Sequence, residues 1–194
     1  MEKKMSFFDK YLTVWVALCM AVGVGLGGTA TFGALLHAVN HSLGKAALFL
    51  LAGNVLRVYG TTKVDEVRGV WRRMPFTGVL LTVGFLAMGG IPPFGPFISE
   101  LVIFKSAVFG SHLGLGILFL VLLAVAFLGM ASVLLPMLQG SQTSDSNAPV
   151  REPVLTLVPP LLLGMVVLIL GVYIPGPVTD ILVRAAKLLG GSHG

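Results

Sequence analysis

A cluster of prolines and glycines interrupts an apolar stretch of membrane-spanning length, and one acid stands just beyond it: Gly89-Gly90-Ile91-Pro92-Pro93-Phe94-Gly95-Pro96-Phe97-Ile98-Ser99-Glu100. No residue from Met74 to Ser99 carries a charge. Pro92, Pro93 and Pro96 lack backbone N–H groups, so the carbonyls of Met88, Gly89 and Pro92 lose their helical partners. In lipid such groups must be satisfied by surrounding protein or by a water-lined cavity. The pattern predicts a helix that stops and restarts within residues 89–96, with Gly90, Pro92, Pro93, Gly95 and Pro96 forming the break. Broken membrane helices commonly build ion sites. A carboxylate at membrane depth costs about 2.5 kcal/mol or more, a cost chains seldom carry without using the charge. Glu100 is therefore the first candidate functional residue.

Only 11% of the 194 residues are charged and 56% are hydrophobic, against about 25% charged in a soluble domain. The fold class that follows is an all-α membrane protein with about five transmembrane helices, over residues 11–28, 31–58, 75–109, 113–138 and 153–173. The third is too long for one straight span and is discontinuous at the break. Residues 1–10 form a basic N-terminus, 11–175 the transmembrane domain and 176–194 a C-terminal tail. A signal peptide is the competing reading of the first apolar run, but apolar character resumes almost at once, as in a helical hairpin. Pro159 and Pro160 are expected to kink the fifth span. In the tail, Asp180, Arg184 and Lys187 share one face by three- and four-residue spacing, which predicts an amphipathic helix lying in the membrane interface.

The net charge of +5 sits in loops, a pattern of topology rather than of nucleic-acid binding. With five crossings, one side holds Lys3, Lys4, Lys10, Arg57, Lys63, Arg68, Arg72, Arg73 and Arg151. The other holds Arg184 and Lys187, with Lys105 near a helix end. The positive-inside rule then places the N-terminus in the cytoplasm and the C-terminus outside a cell (inner) membrane. The single cysteine, Cys19, excludes an internal disulfide and a cysteine-based metal or iron–sulfur site; no cofactor or metal site is expected.

His37, His41 and Lys45 recur every four residues, so a helix sets them along one face about 6 Å apart, with Asn40 beside them. Two imidazoles and an ammonium in file suit a proton relay, because histidine titrates near neutrality and a desolvated lysine can be brought into range. The plainer alternative is interhelical hydrogen bonding with Lys45 snorkelling. Glu100, one turn into the restarted helix, is read as a titrating carboxylate. Its alternative is a permanent ion pair with Lys45 or with Lys105, five residues on. Asn40 and Lys105 are secondary candidates. Gly23-Val-Gly25-Leu-Gly27-Gly28 matches GxGxxG, but no strand precedes it, so Gly23 and Gly27 are read as a close-packing pair. His112 is expected at a helix end.

These residues resemble the antiporter-like proton-channel subunits, the family of the large membrane subunits of respiratory complex I, the Mrp antiporters and the membrane arms of group 4 hydrogenases. The nearest likeness is to hydrogenase-4 (formate hydrogenlyase) component F. It is carried by His37-Ala-Val-Asn-His-Ser-Leu-Gly-Lys-Ala-Ala-Leu-Phe-Leu-Leu-Ala-Gly-Asn-Val55, by Val67-Arg-Gly-Val-Trp-Arg-Arg-Met-Pro75 and by Gly90-Ile-Pro-Pro-Phe-Gly-Pro-Phe-Ile-Ser-Glu100. It is strongest over residues 33–105 and does not extend to the first fifteen or so.

The resemblance implies a half-channel in which His37, His41 and Lys45 match the central polar helix, and Glu100 the acid or lysine of the broken helix. It also implies that the chain looks like a C-terminal fragment of a longer two-repeat subunit, so independent pumping is not expected. The implied partners are other membrane subunits of a hydrogenase- or complex I-like assembly, the lipid bilayer and protons, with sodium as the alternative ion. The chain would carry no redox or catalytic centre of its own. The alternatives are an Mrp-type cation/proton antiporter component and a truncated, non-transporting scaffold.

Overall fold

A computed structural model describes residues 5–140 and 148–189, with side chains from residue 13 onward. Eight α-helices run in order: α1 (Met5–Leu26), α2 (Gly28–Tyr59), α3 (Val70–Arg73), α4 (Pro75–Met88), α5 (Gly95–Phe109), α6 (Leu113–Gln139), α7 (Val154–Val172) and α8 (Gly176–Leu189), and no strand occurs among the described residues. Helices α2, α6 and α7 are each long and apolar enough to cross a membrane, while Thr13–Leu26 and Pro75–Met88 are shorter apolar helices. Neither α4 (14 residues) nor α5 (15 residues) can span alone. In tandem their 29 residues, at about 1.5 Å each, reach roughly 43 Å, more than the hydrocarbon core of about 30 Å.

Helix α2 is the axis: α1, α4, α5, α7 and α8 all pack on it. Its buried residues include Ala30, Ala34, His37, Asn40, His41, Gly44, Leu48, Leu51 and Val55, one stripe at three- and four-residue spacing. In lipid, apolar burial does not drive helices together, so close approach at small residues must. A Cβ on Gly33 would press on Val102 and Ile103 of α5, and one on Gly44 would strike Met88 Sδ of α4. Two apolar clusters result. One joins Leu48, Leu51 and Val55 to Leu81, Phe85 and Met88 and to Met130, Leu134 and Leu138. The other joins Trp15, Cys19, Ala34, Ile103 and Phe119.

The interruption between α4 and α5 is built as the prolines require. Gly90 takes φ +68°, the Gly90 N–H donates to Ala87 O (3.3 Å), and the Ile91 N–H donates to Leu86 O (3.2 Å). This is a Schellman ending, with glycine in the left-handed conformation and proline following. Phe94, in an extended conformation, caps the restart, with Pro96 in the first turn. Helix α7 lies directly on the interruption, because a Cβ on Gly171 would collide with Pro93 O and the Phe94 carbonyl carbon.

Elsewhere, side chains repair what proline removes. Helix α7 is continuous through Pro159 and Pro160. The carbonyl of Thr156, which Pro160 deprives of its partner, accepts instead from Asn54 Nδ2 at 3.0 Å. At the loop end, the Glu152 carboxylate accepts from the Phe76 and Thr77 N–H groups (2.9 and 2.8 Å) and from the Thr77 hydroxyl. It thereby caps the N-terminus of α4, where a negative charge is favoured. In the loop between α2 and α3, Lys63 and Thr61 hydrogen-bond Glu66, and these bonds hold its carboxyl below the usual carboxylate range.

Two sequence readings need adjustment. Helix α1 begins at Met5, so residues 5–10 continue the first helix rather than precede it. Gly23 does pack against α2, since a Cβ there would collide with Ala34 Cβ, but Gly27 touches nothing and has φ +72°. It makes the turn between α1 and α2, which only a residue tolerant of positive φ does cheaply. Helix α7 runs unbroken through Pro159 and Pro160, and Asn54 replaces the bond that Pro160 removes. As expected, Asp180, Arg184 and Lys187 of α8 are exposed while Leu182 and Ala186 are buried.

The seating of α7 yields a paired test. Gly171→Val should destabilise the folded protein by about 1–3 kcal/mol through overpacking. Gly164→Val on the same helix, where nothing lies within 4 Å, should be near neutral. Thermal unfolding of the two variants in one detergent measures the difference, and equal melting temperatures would contradict the packing described.

Candidate functional site

Between the two apolar clusters lies a buried polar group drawn from α1, α2 and α5. Helix α2 contributes His37, Asn40 and His41, which are 0%, 0% and 4% exposed. Their spacing places all three on the buried face. The His37 and His41 ring centroids are 5.7 Å apart. Helix α5 contributes Ser99 and Glu100, also buried. Side chains on a helix lean toward its N-terminus, so Glu100 reaches back into the interruption. A Cβ on Gly90 would occupy the place of Glu100 Oε2. Gly90 therefore serves twice: its positive φ ends α4, and its missing side chain seats the carboxylate.

Around Glu100 the geometry is specific. The Trp15 indole Nε1–H donates to Glu100 Oε1 at 3.2 Å. His37 Nδ1 lies 4.0 Å from the same oxygen, beyond hydrogen-bond range. That nitrogen instead meets Ser99 Oγ at 3.1 Å, and the Ser99 hydroxyl also approaches the Pro96 carbonyl at 2.8 Å. Glu100 is held by neither lysine. Lys105 is exposed on the outer face of α5, so the secondary role considered for it has no support in the geometry.

Lys45 is half-exposed, and its ammonium donates to Thr13 Oγ1 at 3.0 Å and lies 5.8 Å from the Phe49 ring centroid. Four residues advance a helix by about 400°, so each step of a four-residue repeat drifts about 40°. His37 and His41 remain on the buried face, and Lys45 has rotated to its edge, toward α1.

Several polar atoms of the group have no protein partner among the described residues: His37 Nε2, both amide atoms of Asn40, and both ring nitrogens of His41. Buried polar groups are nearly always satisfied, by water where protein does not suffice. All of them belong to side chains within about one turn of the buried face of α2. Asn40 also abuts the restart of α5, since a Cβ on Gly95 would collide with its amide. Trp15 and Ser99 were missed in the sequence. Ser99 stood beside Glu100 in the motif. Trp15 offered only the general signal of an indole N–H inside an apolar span, which needs a buried acceptor. Among the described residues no cluster of three or more His, Cys, Asp or Glu side chains could hold a metal ion.

The double role of Gly90 makes a second test. Gly90→Ala should destabilise by about 1–2 kcal/mol from left-handed strain alone, and by more through displacement of Glu100. In a Glu100→Ala background only the strain should remain. A double-mutant cycle on thermal stability should therefore show coupling of at least about 0.5 kcal/mol; strict additivity would refute the seating.

Residues 15–126 match the family described as NADH:quinone oxidoreductase/Mrp antiporter, transmembrane. The chain is 33% identical over 183 residues to a hydrogenase-4 component F homolog of Methylacidiphilum infernorum, covering 89% of this chain and 35% of that protein. It is 31% identical over 165 residues to Na(+)/H(+) antiporter subunit A1 of Staphylococcus haemolyticus, covering 79% of this chain and 20% of that one. It thus spans about a third or less of these relatives' lengths. Its fold matches a chain of the Mrp complex from Dietzia sp. DQ12-45-1b with a TM-score of 0.72 at 18% identity, over 96% of this chain and 48% of the other. The family match begins at Trp15 and takes in His37, His41, Lys45, the interruption and Glu100. The chain belongs to the NADH:quinone oxidoreductase/Mrp antiporter transmembrane family, and is a multi-pass integral membrane protein with an all-α fold.

Proposed function

We propose that this chain is the proton-translocating C-terminal part of a membrane subunit, in a hydrogenase-4/formate hydrogenlyase-like or NADH:quinone oxidoreductase-like complex. The observation that carries this reading is the meeting of a buried imidazole file on α2 with a buried carboxylate at a helix interruption. Protons would pass between Lys45, His41, His37 and Glu100. Each imidazole can take a proton on one nitrogen and release one from the other. The Ser99 hydroxyl, which both donates and accepts, stands between His37 and the interruption. Lys45, at the edge of the stripe, is placed to exchange charge with whatever covers α1 and α2. The electron-transfer chemistry would belong to other subunits, and conformational or electrostatic changes there would drive proton movement here.

The partners that fit are other membrane subunits, because relatives bear names of components and subunits of larger assemblies. A second reading, a component of an Mrp-type cation/proton antiporter, is favoured by the likeness to antiporter subunit A1 and to the Mrp complex. Sodium would then be the coupled ion. Neighbouring genes separate the two readings, hydrogenase subunits in one case and Mrp subunits in the other.

The relay reading is tested in membranes that hold the chain with its partners. Lys45→Ala and Glu100→Gln should each lower proton translocation by about a hundredfold, the lower end of what a proton-transfer group contributes, with assembly intact. His37→Ala and His41→Ala should each be milder, since water or the neighbouring imidazole can bridge the file. Unchanged proton-to-electron ratios in both charge variants would overturn the assignment.

The orientation is part of the same proposal: residues 60–72 in the cytoplasm and α8 outside. With Cys19 replaced, a cysteine at the exposed position Thr62 should resist an impermeant thiol reagent in intact cells, and one at the exposed position Asp180 should react. The reverse pattern would invert the topology.

A further inference from the structure

We propose that Trp15 is the positioning residue of the relay: its indole N–H holds the Glu100 carboxylate out of contact with His37, and release of that bond completes the path. The inference rests on the relay reading above and adds a control element to it. One carboxylate oxygen, Oε1, faces both groups, at 3.2 Å from Trp15 Nε1 and 4.0 Å from His37 Nδ1. A hydrogen bond needs about 2.7–3.2 Å, so the indole bond is made and the imidazole bond is not. The gap left to close is under about 1.5 Å, within the swing of a glutamate side chain.

Indole suits this task. Its N–H is a donor only, so it can hold a carboxylate but cannot pass a proton onward. A histidine or serine in its place would extend the wire; tryptophan ends it. The indole is also firmly placed. Trp15 is 5% exposed, its ring lies 5.2 Å from that of Phe119 on α6, and it belongs to the apolar cluster with Cys19, Ala34 and Ile103. A small apolar cavity adjoins it, lined by Trp15, Met88, Gly89, Leu123, Phe127 and Met130. That cavity, of about 10 Å³, is far smaller than an indole, so the bond would be released by movement of a helix rather than of the ring alone. It also places the indole between α6 and the end of α4, so a shift of either helix would reach the Glu100 bond. The other titratable groups near the carboxylate are His37 on α2 and Cys19 on α1; neither donates to it.

The test uses the full chain with Trp71→Phe, which leaves Trp15 as the single tryptophan. Ultraviolet resonance Raman spectra of its indole N–H should report a strong hydrogen bond that is lost in Glu100→Ala. Infrared spectra should show the Glu100 carboxyl band, identified by its absence in Glu100→Gln, shifted by Trp15→Phe. In partner-containing membranes Trp15→Phe should alter proton translocation per turnover by roughly tenfold, the factor a lost hydrogen bond to a charged group carries. Trp15→His should restore the bond without restoring wild-type translocation. Identical indole spectra with and without the Glu100 carboxyl would overturn the proposal, as would wild-type translocation in Trp15→Phe. Failure of the relay reading looks different: Glu100→Gln would translocate normally while the indole bond remained visible in the wild-type spectrum.

Discussion

An interrupted helix in lipid leaves backbone groups that water cannot reach, and much of the arrangement around the α4–α5 junction answers that constraint. The Schellman bonds of Gly90 and Ile91 close the end of α4. The restart at Phe94 opens α5 with a proline where a missing N–H is harmless. Helix α7 lies against the exposed backbone so closely that only glycine fits at position 171, and α2 presses Asn40 against Gly95. The same principle recurs where Asn54 supplies the bond that Pro160 removes. Pro92 and Pro93 stay exposed, but the restart at Gly95 and Pro96 is buried, and Glu100 is buried with it.

Much of this was legible in the residues. Three prolines among glycines, inside an uncharged run, admit few outcomes in a membrane; the helix ends at Met88, one residue before the expected interval of 89–96, and restarts at Gly95 within it. Glu100 and the two histidines follow from the expense of polar groups at that depth. What eluded the sequence was mostly angular. A four-residue repeat looks like a straight stripe on paper but drifts around the helix, so Lys45 leaves the face that buries His37 and His41. Lys105 lies on the outside of α5 for a comparable reason: five residues turn a helix by about 500°. Gly27 looked like a packing glycine by spacing, yet its neighbour α2 begins one residue later and demands a turn. Trp15 could not have been paired with Glu100 from spacing at all, since 85 residues separate them and only the packing of α1 on α2 and α5 brings them together.

The two apolar clusters explain why the polar group can exist where it does. Above and below it, Leu, Met, Phe and Trp side chains interlock across four helices. This fixes the spacing of α2 against α5 and so the approach of Ser99 to His37. Polar contacts in lipid contribute modestly one by one, on the order of 0.6 kcal/mol on average. The packing therefore determines the geometry, and the hydrogen bonds choose among the rotamers that it leaves open.

Gly90 joins these two levels. It is at once the residue whose backbone terminates α4 and the residue whose missing side chain admits the carboxylate. Any rearrangement of the interruption, by rotation at Gly90 or sliding of α4 against α6, must therefore displace Glu100 relative to Trp15 and His37. Gly90 is the one residue of the α4–α5 segment with positive φ, and the Glu100 carboxylate lies against it. The link between helix movement and the position of the Glu100 side chain is then a direct contact. It requires only that a single side chain occupy the space beside Gly90.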